Sequence, residues 1–281
     1  MIDSVKSNSL YNPYRYSYSP FEYGEPNEFR DYSPLEKEGT DNNSDIAKTT
    51  ISAGILQLFA LGLHKISEFC STKLMQGKEF TTEQNVKNVA ERMVKDNKLK
   101  VDVGFIDNNN ITKYTQKYGQ ELGRELDVVA AGKNAFYADK FKLAVAPKSK
   151  PSLILHELGH AINAHKGKFL KLLQKSRMIA SAAPTALLML DGAFRREDNK
   201  PNFIERNAGI LGFLSFLPTI AEEGIASIRG VKAAKNVLGK TVNLKALKRN
   251  YFFAWCTYLL AGIGLGIAAK QTFLQNRLEK N

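Results

Sequence analysis

A chain of 281 residues, 43% hydrophobic and 24% charged, has room for one sizeable domain with appendages or for two small domains. Its formal charge of +12 is uneven: residues 1–45 carry nine acids and four bases, a balance of −5, which leaves +17 on residues 46–281. That basic balance comes with no zinc-finger, helix-turn-helix or RNA-binding signature, which argues against nucleic acid; lysines and arginines instead flank apolar segments, as expected of a chain held against anionic membrane lipid. The first residues lack a basic start followed by an apolar run, so no secretory signal is expected. Residues 1–45, with Tyr11, Tyr14, Tyr16 and Tyr18 among prolines and polar residues, bury too little aliphatic surface to offset the entropy of ordering and are expected to form a disordered tail.

Residues 46–79 are expected to form an apolar helix over Ile51–Phe69. Its uncharged run, Ile51–Leu63, is 13 residues long, short of the roughly 20 that cross a bilayer, so it reads as core or as an interfacial helix. Thr81 or Thr82 can cap a helix running to Asp96, because Glu83 and Gln84 fall in its first turn. Alternation through Val101, Val103 and Phe105 predicts a strand ending at the turn Asp107–Asn110, and Ile111–Leu126 then reads as helix. Asn134–Pro147 reads as a strand or hairpin, either an edge on which an extended substrate backbone pairs or a plain structural strand. Cys70 and Cys256, far apart and each in an apolar setting, suggest no disulfide framework and read as reduced core or lipid-facing residues.

The next stretch, Leu153-Ile-Leu-His156-Glu157-Leu-Gly-His160-Ala-Ile162, concentrates the chemistry. Pro151 ahead of it is tolerated in a first helical turn because its missing N–H has no partner there anyway. Residues four apart share a helix face, so His156 and His160 can point two imidazole nitrogens at one ion. Glu157 stands beside them, placed to take a proton from a water acidified by the metal and to pass it to a leaving amine. This is the H-E-x-x-H arrangement of zinc peptidases. A catalytic zinc takes a third protein ligand and keeps one position open. His165, five residues after His160 and about 140° round the helix, does not reach the same ion unless the helix breaks.

Two apolar runs follow, Met178–Leu190 and Ala208–Ala221, of 13 and 14 residues, joined by a charged stretch from Asp191 to Asn207. Their length suits a hairpin dipping into a bilayer, or buried helices, better than two free spans. Glu222 and Glu223 come next, two carboxylates at the end of an apolar segment, where a charge is costly without a cation. The order H-E-x-x-H, two hydrophobic segments, then E-x-x-A resembles the membrane-bound zinc metallopeptidases of the gluzincin group, which include the heat-shock membrane protease and the prenyl-protein endoprotease. The resemblance covers roughly residues 80–235. It implies Zn2+ held by His156, His160 and Glu223, with Glu157 as catalytic base and Ala226 at the family's alanine position. Glu222 is the rival third ligand. The acid that the family carries four residues after the ligand glutamate, where it orients a histidine, is Ser227 here, a weaker acceptor.

Tyr251–Ala269 gives 19 uncharged residues, about 28 Å of helix, which matches a hydrocarbon core. Gly262 and Gly266 form a G-x-x-x-G pair on it. Residues 231–250 hold six lysines and arginines and no acid, which is expected to place that flank on the cytoplasmic side, together with the histidines if the 178–221 pair enters and leaves on one side. The expected fold is mainly α with a small β-sheet (α+β): a zincin-like core over residues 80–240 that includes an apolar hairpin at 178–221, and a transmembrane helix within 241–281. The expected function is that of an integral membrane zinc endopeptidase acting on proteins or peptides, membrane proteins among them. Arg229 and Tyr137 are unranked candidates for the second oxyanion donor. The alternative is an inactive membrane scaffold that retains the metal site.

Overall fold

The computed structural model describes residues 43–193, 201–239 and 241–278. The tail expected at 1–45 falls almost wholly outside these residues, as does the middle of the charged stretch between Asp191 and Asn207. Among the described residues the chain is mainly helical, with one three-stranded mixed sheet.

The sheet is built from β1 (Asp102–Ile106), β2 (Phe136–Ala138) and β3 (Leu143–Pro147). β3 is central, parallel to β1 with Gly104 opposite Val145, and antiparallel to β2 with Phe136 opposite Val145. Successive strand side chains point to opposite faces. Phe105, Tyr137, Ala144 and Ala146 therefore join one core with α2 (Glu83–Asp96) and α5 (Leu153–His165). Ile106, Phe136, Leu143 and Val145 join a second core with Leu126 and Val129 of α4 (Gly123–Ala130). Thr82 caps α2 as expected, accepting from Asn85 N at 3.4 Å, and Val86, Val89, Ala90 and Met93 form its buried stripe. The helix expected over Ile111–Leu126 is divided. α3 (Ile111–Tyr118) stops at Gly119, whose φ of 75° with an extended ψ is a conformation that glycine adopts without steric cost, and a short 3-10 turn leads into α4.

Five further helices complete the described fold: α1 (Asn43–Gln76), α6 (Lys168–Ser181), α7 (Ala183–Ala193), the long α8 (Phe203–Leu238) and α9 (Leu244–Leu278). The run Ala208–Ala221 is not a short arm of a hairpin. It is the first half of the 36-residue α8, which continues through Pro218 and carries Glu222 and Glu223 in its middle. α8 and α9 touch backbone to backbone: a Cβ at Gly266 would stand 2.6 Å from the Gly209 carbonyl oxygen, and one at Gly212 2.8 Å from Ala269 Cβ. The G-x-x-x-G pair is thus used inside the chain. α1 lies along α9, with Phe69 edge-on to Phe253 and the free thiols of Cys70 and Cys256 hydrogen-bonded to each other, so cysteines distant in sequence are neighbours in space.

α8 and α9 are each long and apolar enough to cross a membrane. Only 33% and 22% of their most apolar windows is buried within the protein, so most of that surface faces outward. Ile210, Leu214, Leu217, Phe252 and Ile263 are exposed on them, as are Leu58, Phe59, Ile66 and Phe69 on α1.

Candidate metal centre

Every residue of α5 from Leu153 to Asn163 is buried. The helix is held at its start by a polar clamp. Glu79 accepts from Ser152 N at 3.2 Å and from Ser152 Oγ at 3.0 Å, satisfying donors that the helix itself leaves open. Lys150 pairs with Glu79 at 3.5 Å and donates to the Gly77 carbonyl, while Tyr251 of α9 donates to Ser152 O at 2.7 Å. Burial pushes the Glu79 carboxyl up from its ordinary range, against the pull of Ser152 and Lys150. Pro151 sits just ahead of the helix and accepts from Ile154 N through its carbonyl at 3.0 Å.

The crossing with α8 depends on small residues. A Cβ at Gly159 would stand 2.4 Å from the Ala226 carbonyl oxygen, and one at Gly230 would stand 3.0 Å from the Leu155 carbonyl oxygen. The two backbones can meet only because the glycine of the H-E-x-G-H turn and the alanine of E-x-x-A leave room. That contact brings the middle of α8 over the two histidines.

Three ligand-type atoms converge there. His156 Nε2 lies 3.0 Å from Glu223 Oε2 and 3.0 Å from His160 Nε2, and His160 Nε2 lies 3.4 Å from Glu223 Oε2. Tetrahedral coordination with bonds of about 2.0–2.1 Å separates ligand atoms by about 3.3 Å, so this triangle has the dimensions of three corners of such a site. A Glu157 oxygen lies within 4.8 Å of nitrogens on both histidines. These buried histidines and glutamates can hold a metal ion.

The opposite ring nitrogens are also engaged. His156 Nδ1 meets Ser227 Oγ at 3.0 Å, and His160 Nδ1 meets Glu222 Oε1 at 2.8 Å. Of the two adjacent acids, Glu223 faces the Nε2 pair and Glu222 faces the back of His160. Ser227, four residues after Glu223, is thus the partner of the His156 ring on the side away from Glu223. Asn163 Nδ2 donates to Glu222 Oε1 at 2.9 Å, and Arg229 Nε donates to Asn163 Oδ1 at 2.8 Å. Burial alone would lower the His160 imidazolium, but Glu222 and Glu223 beside it outweigh that and raise it well above the ordinary imidazole range.

His165, the last residue of α5, is exposed and outside the cluster. Tyr137 lies on β2, an outer strand whose three residues are all buried, and its hydroxyl donates to Asp139 Oδ1 at 2.7 Å; burial and Asp139 push its phenol far up. Four contributors escaped the sequence reading: Asn163, Gly159, Glu79 and Tyr251, whose ring lies 5.6 Å from that of His156. Asn163 did carry a signal, a polar residue one turn beyond His160 on the same face of an apolar helix. No protein-family model, no curated protein and no solved structure matches the chain.

Proposed function

We propose that the protein is a membrane-embedded zinc endopeptidase of the gluzincin type, with His156, His160 and Glu223 as zinc ligands and Glu157 as general base. The observation that carries this reading is the triangle of His156 Nε2, His160 Nε2 and Glu223 Oε2, with sides of 3.0, 3.0 and 3.4 Å. Two imidazoles and one carboxylate are the ligand set of hydrolytic zinc, and no cysteine lies in the cluster. When bound, zinc supplies a Lewis acid that acidifies water and polarises a peptide carbonyl. Glu157, beside both histidines, would serve as the base that accepts a proton from the attacking water and returns it to the leaving nitrogen. Glu223 contributes a negative charge that would be costly to bury without a cation. The zincin-like reading rests on α5 packing against β2 and β3 of a small mixed sheet.

The site belongs at a membrane surface. Gly224 packs on Trp255 and Gly230 on Tyr251, so Glu223 stands level with the start of the uncharged run of α9, next to its basic flank of Lys245, Lys248 and Arg249. The excess of basic residues assigns that flank to the cytoplasmic side. Phe203, at the far end of α8, is 20 residues or about 30 Å of helix away from Glu223. The chain must travel that distance between α5 and α8, and α6 and α7, both packed on α8, are the segments that do so.

The second reading, an inactive membrane scaffold, draws on Ser227, a hydroxyl where the family it resembles has an acid. Detergent-purified wild type and Glu157→Gln should each contain about one zinc per chain. Cleavage of an unfolded protein should fall at least about a hundredfold in Glu157→Gln, the scale of a lost general base. Zinc in both with cleavage in neither would support the scaffold, and a wild type without zinc would overturn the proposal.

A further inference from the structure

We infer that Arg229, acting through Asn163, is a positioning residue of the metal site: it holds Glu222 against His160 and so fixes which ring nitrogen faces the metal. The inference rests on the zinc reading above and assigns within it residues to which neither the motif nor the resemblance gives a role. It begins from Glu222, whose side chain is fully buried and whose Oε1 receives two contacts, His160 Nδ1 at 2.8 Å and Asn163 Nδ2 at 2.9 Å. A carboxylate oxygen only accepts, so Nδ1 carries a proton toward Glu222, and with an ion bound it is Nε2 that gives up its proton and turns a lone pair to the metal.

Asn163 is itself held in one orientation. Its Oδ1 accepts from Arg229 Nε at 2.8 Å, so turning the amide over would set its nitrogen against the guanidinium and its oxygen against the carboxylate. The guanidinium is permanently charged, and one amide away it compensates the buried Glu222. The residues sit where helix geometry allows this: Glu222 and Arg229 are seven residues apart on α8, two turns on one face, and Asn163 follows His160 by three on α5.

His156 has no equivalent. Its Nδ1 meets a neutral hydroxyl, Ser227 Oγ, at 3.0 Å. The two imidazoles are therefore supported unequally, and the His160 side carries the stronger orienting partner. Arg229 then works behind the metal, and its Nε is committed to Asn163 rather than to a developing oxyanion.

The test uses the full-length protein in detergent, titrated with Zn2+ in a competition assay and with Co2+ while the visible absorption bands are followed. Replacing a partner of this kind lowers metal affinity by about 10- to 100-fold, the expectation for Glu222→Gln, and Arg229→Ala should lose roughly threefold to tenfold. Both should shift the Co2+ bands, which mere loss of packing would not move. Arg229→Lys, whose ammonium can reach Asn163, should recover most of the affinity and the wild-type bands. The double variant Arg229→Ala with Glu222→Gln should bind no more weakly than Glu222→Gln alone, because the arginine acts through the glutamate. Wild-type bands and affinity in Arg229→Ala, or losses that multiply in the double variant, would overturn the inference while leaving the zinc reading standing. A wild type that takes up neither ion would overturn both.

Discussion

The two halves of α8 differ in what they are asked to hold. From Ala208 to Ile220 the helix is apolar, meets α9 through Gly209 and Gly212, and leaves Ile210, Leu214 and Leu217 exposed. From Glu222 to Ala234 it buries two carboxylates and Ser227, each matched to a group on α5, and approaches α5 at Ala226 and Gly230. Both halves use small residues to bring backbones together. Only the second uses that closeness to deliver charge to a defined point. Close packing by glycine is a device that membrane helices and metal sites share, and what distinguishes the site is the polar pairing laid over it.

Breaking the polar half should produce the largest effect. Glu223→Gln is expected to lower zinc affinity by more than about a hundredfold, since a ligand and a charge are lost together, whereas Glu222→Gln should retain measurable zinc. Equilibrium dialysis with zinc analysis of both variants separates them, and equal losses would erase the distinction between ligand and supporting acid.

Packing changes come next. A methyl group at Gly159 would stand 2.4 Å from the Ala226 carbonyl oxygen, so Gly159→Ala must push α5 from α8 at the candidate metal centre. It should cost about 1–3 kcal/mol and weaken zinc binding. Gly266→Ala, 2.6 Å from the Gly209 carbonyl oxygen, should cost a similar or slightly smaller amount of stability and leave zinc affinity unchanged. Thermal unfolding in detergent alongside zinc titration tests both, and zinc loss in Gly266→Ala would mean that the halves are coupled.

The smallest and most graded effect is that of pH, and it belongs to the polar half alone. His160 is raised by Glu222 and Glu223, so in the metal-free protein its proton is held above the ordinary imidazole range. That stabilisation of the metal-free fold is full below the unfolded histidine value and is lost as pH rises through the raised one. In the proposed zinc site the ion has to displace the same proton. Its affinity should therefore climb about tenfold per pH unit below the raised value and level off above it, as competition titrations at several pH values would show.

Local features were legible in the sequence and crossings were not. The 3.6-residue period placed His156 and His160 on one face, the alternation at Val101, Val103 and Phe105 gave β1, and Thr82 began α2. The break at Gly119 escaped, because the run holds two glycines, Gly119 and Gly123, and nothing local marks which of them takes a positive φ. The length of α8 was missed as well: the charged pair Glu222–Glu223 looked like the end of an apolar segment, whereas it is sheltered in mid-helix by the histidines and Asn163 on α5. Glu79 and Tyr251, which hold the first turn of α5 from opposite sides, are 73 and 99 residues from Ser152 and obey no spacing rule that a single sequence displays. The same limit hid the contact between Cys70 and Cys256.

X-ray absorption at the zinc edge of the purified full-length protein tests the central claim most directly. The account predicts one zinc with nitrogen and oxygen ligands only, two of them imidazoles at about 2.0–2.1 Å, and the loss of one oxygen ligand in Glu223→Gln. A spectrum with sulfur ligands, one with fewer than two imidazoles, or a protein that binds no zinc would contradict it.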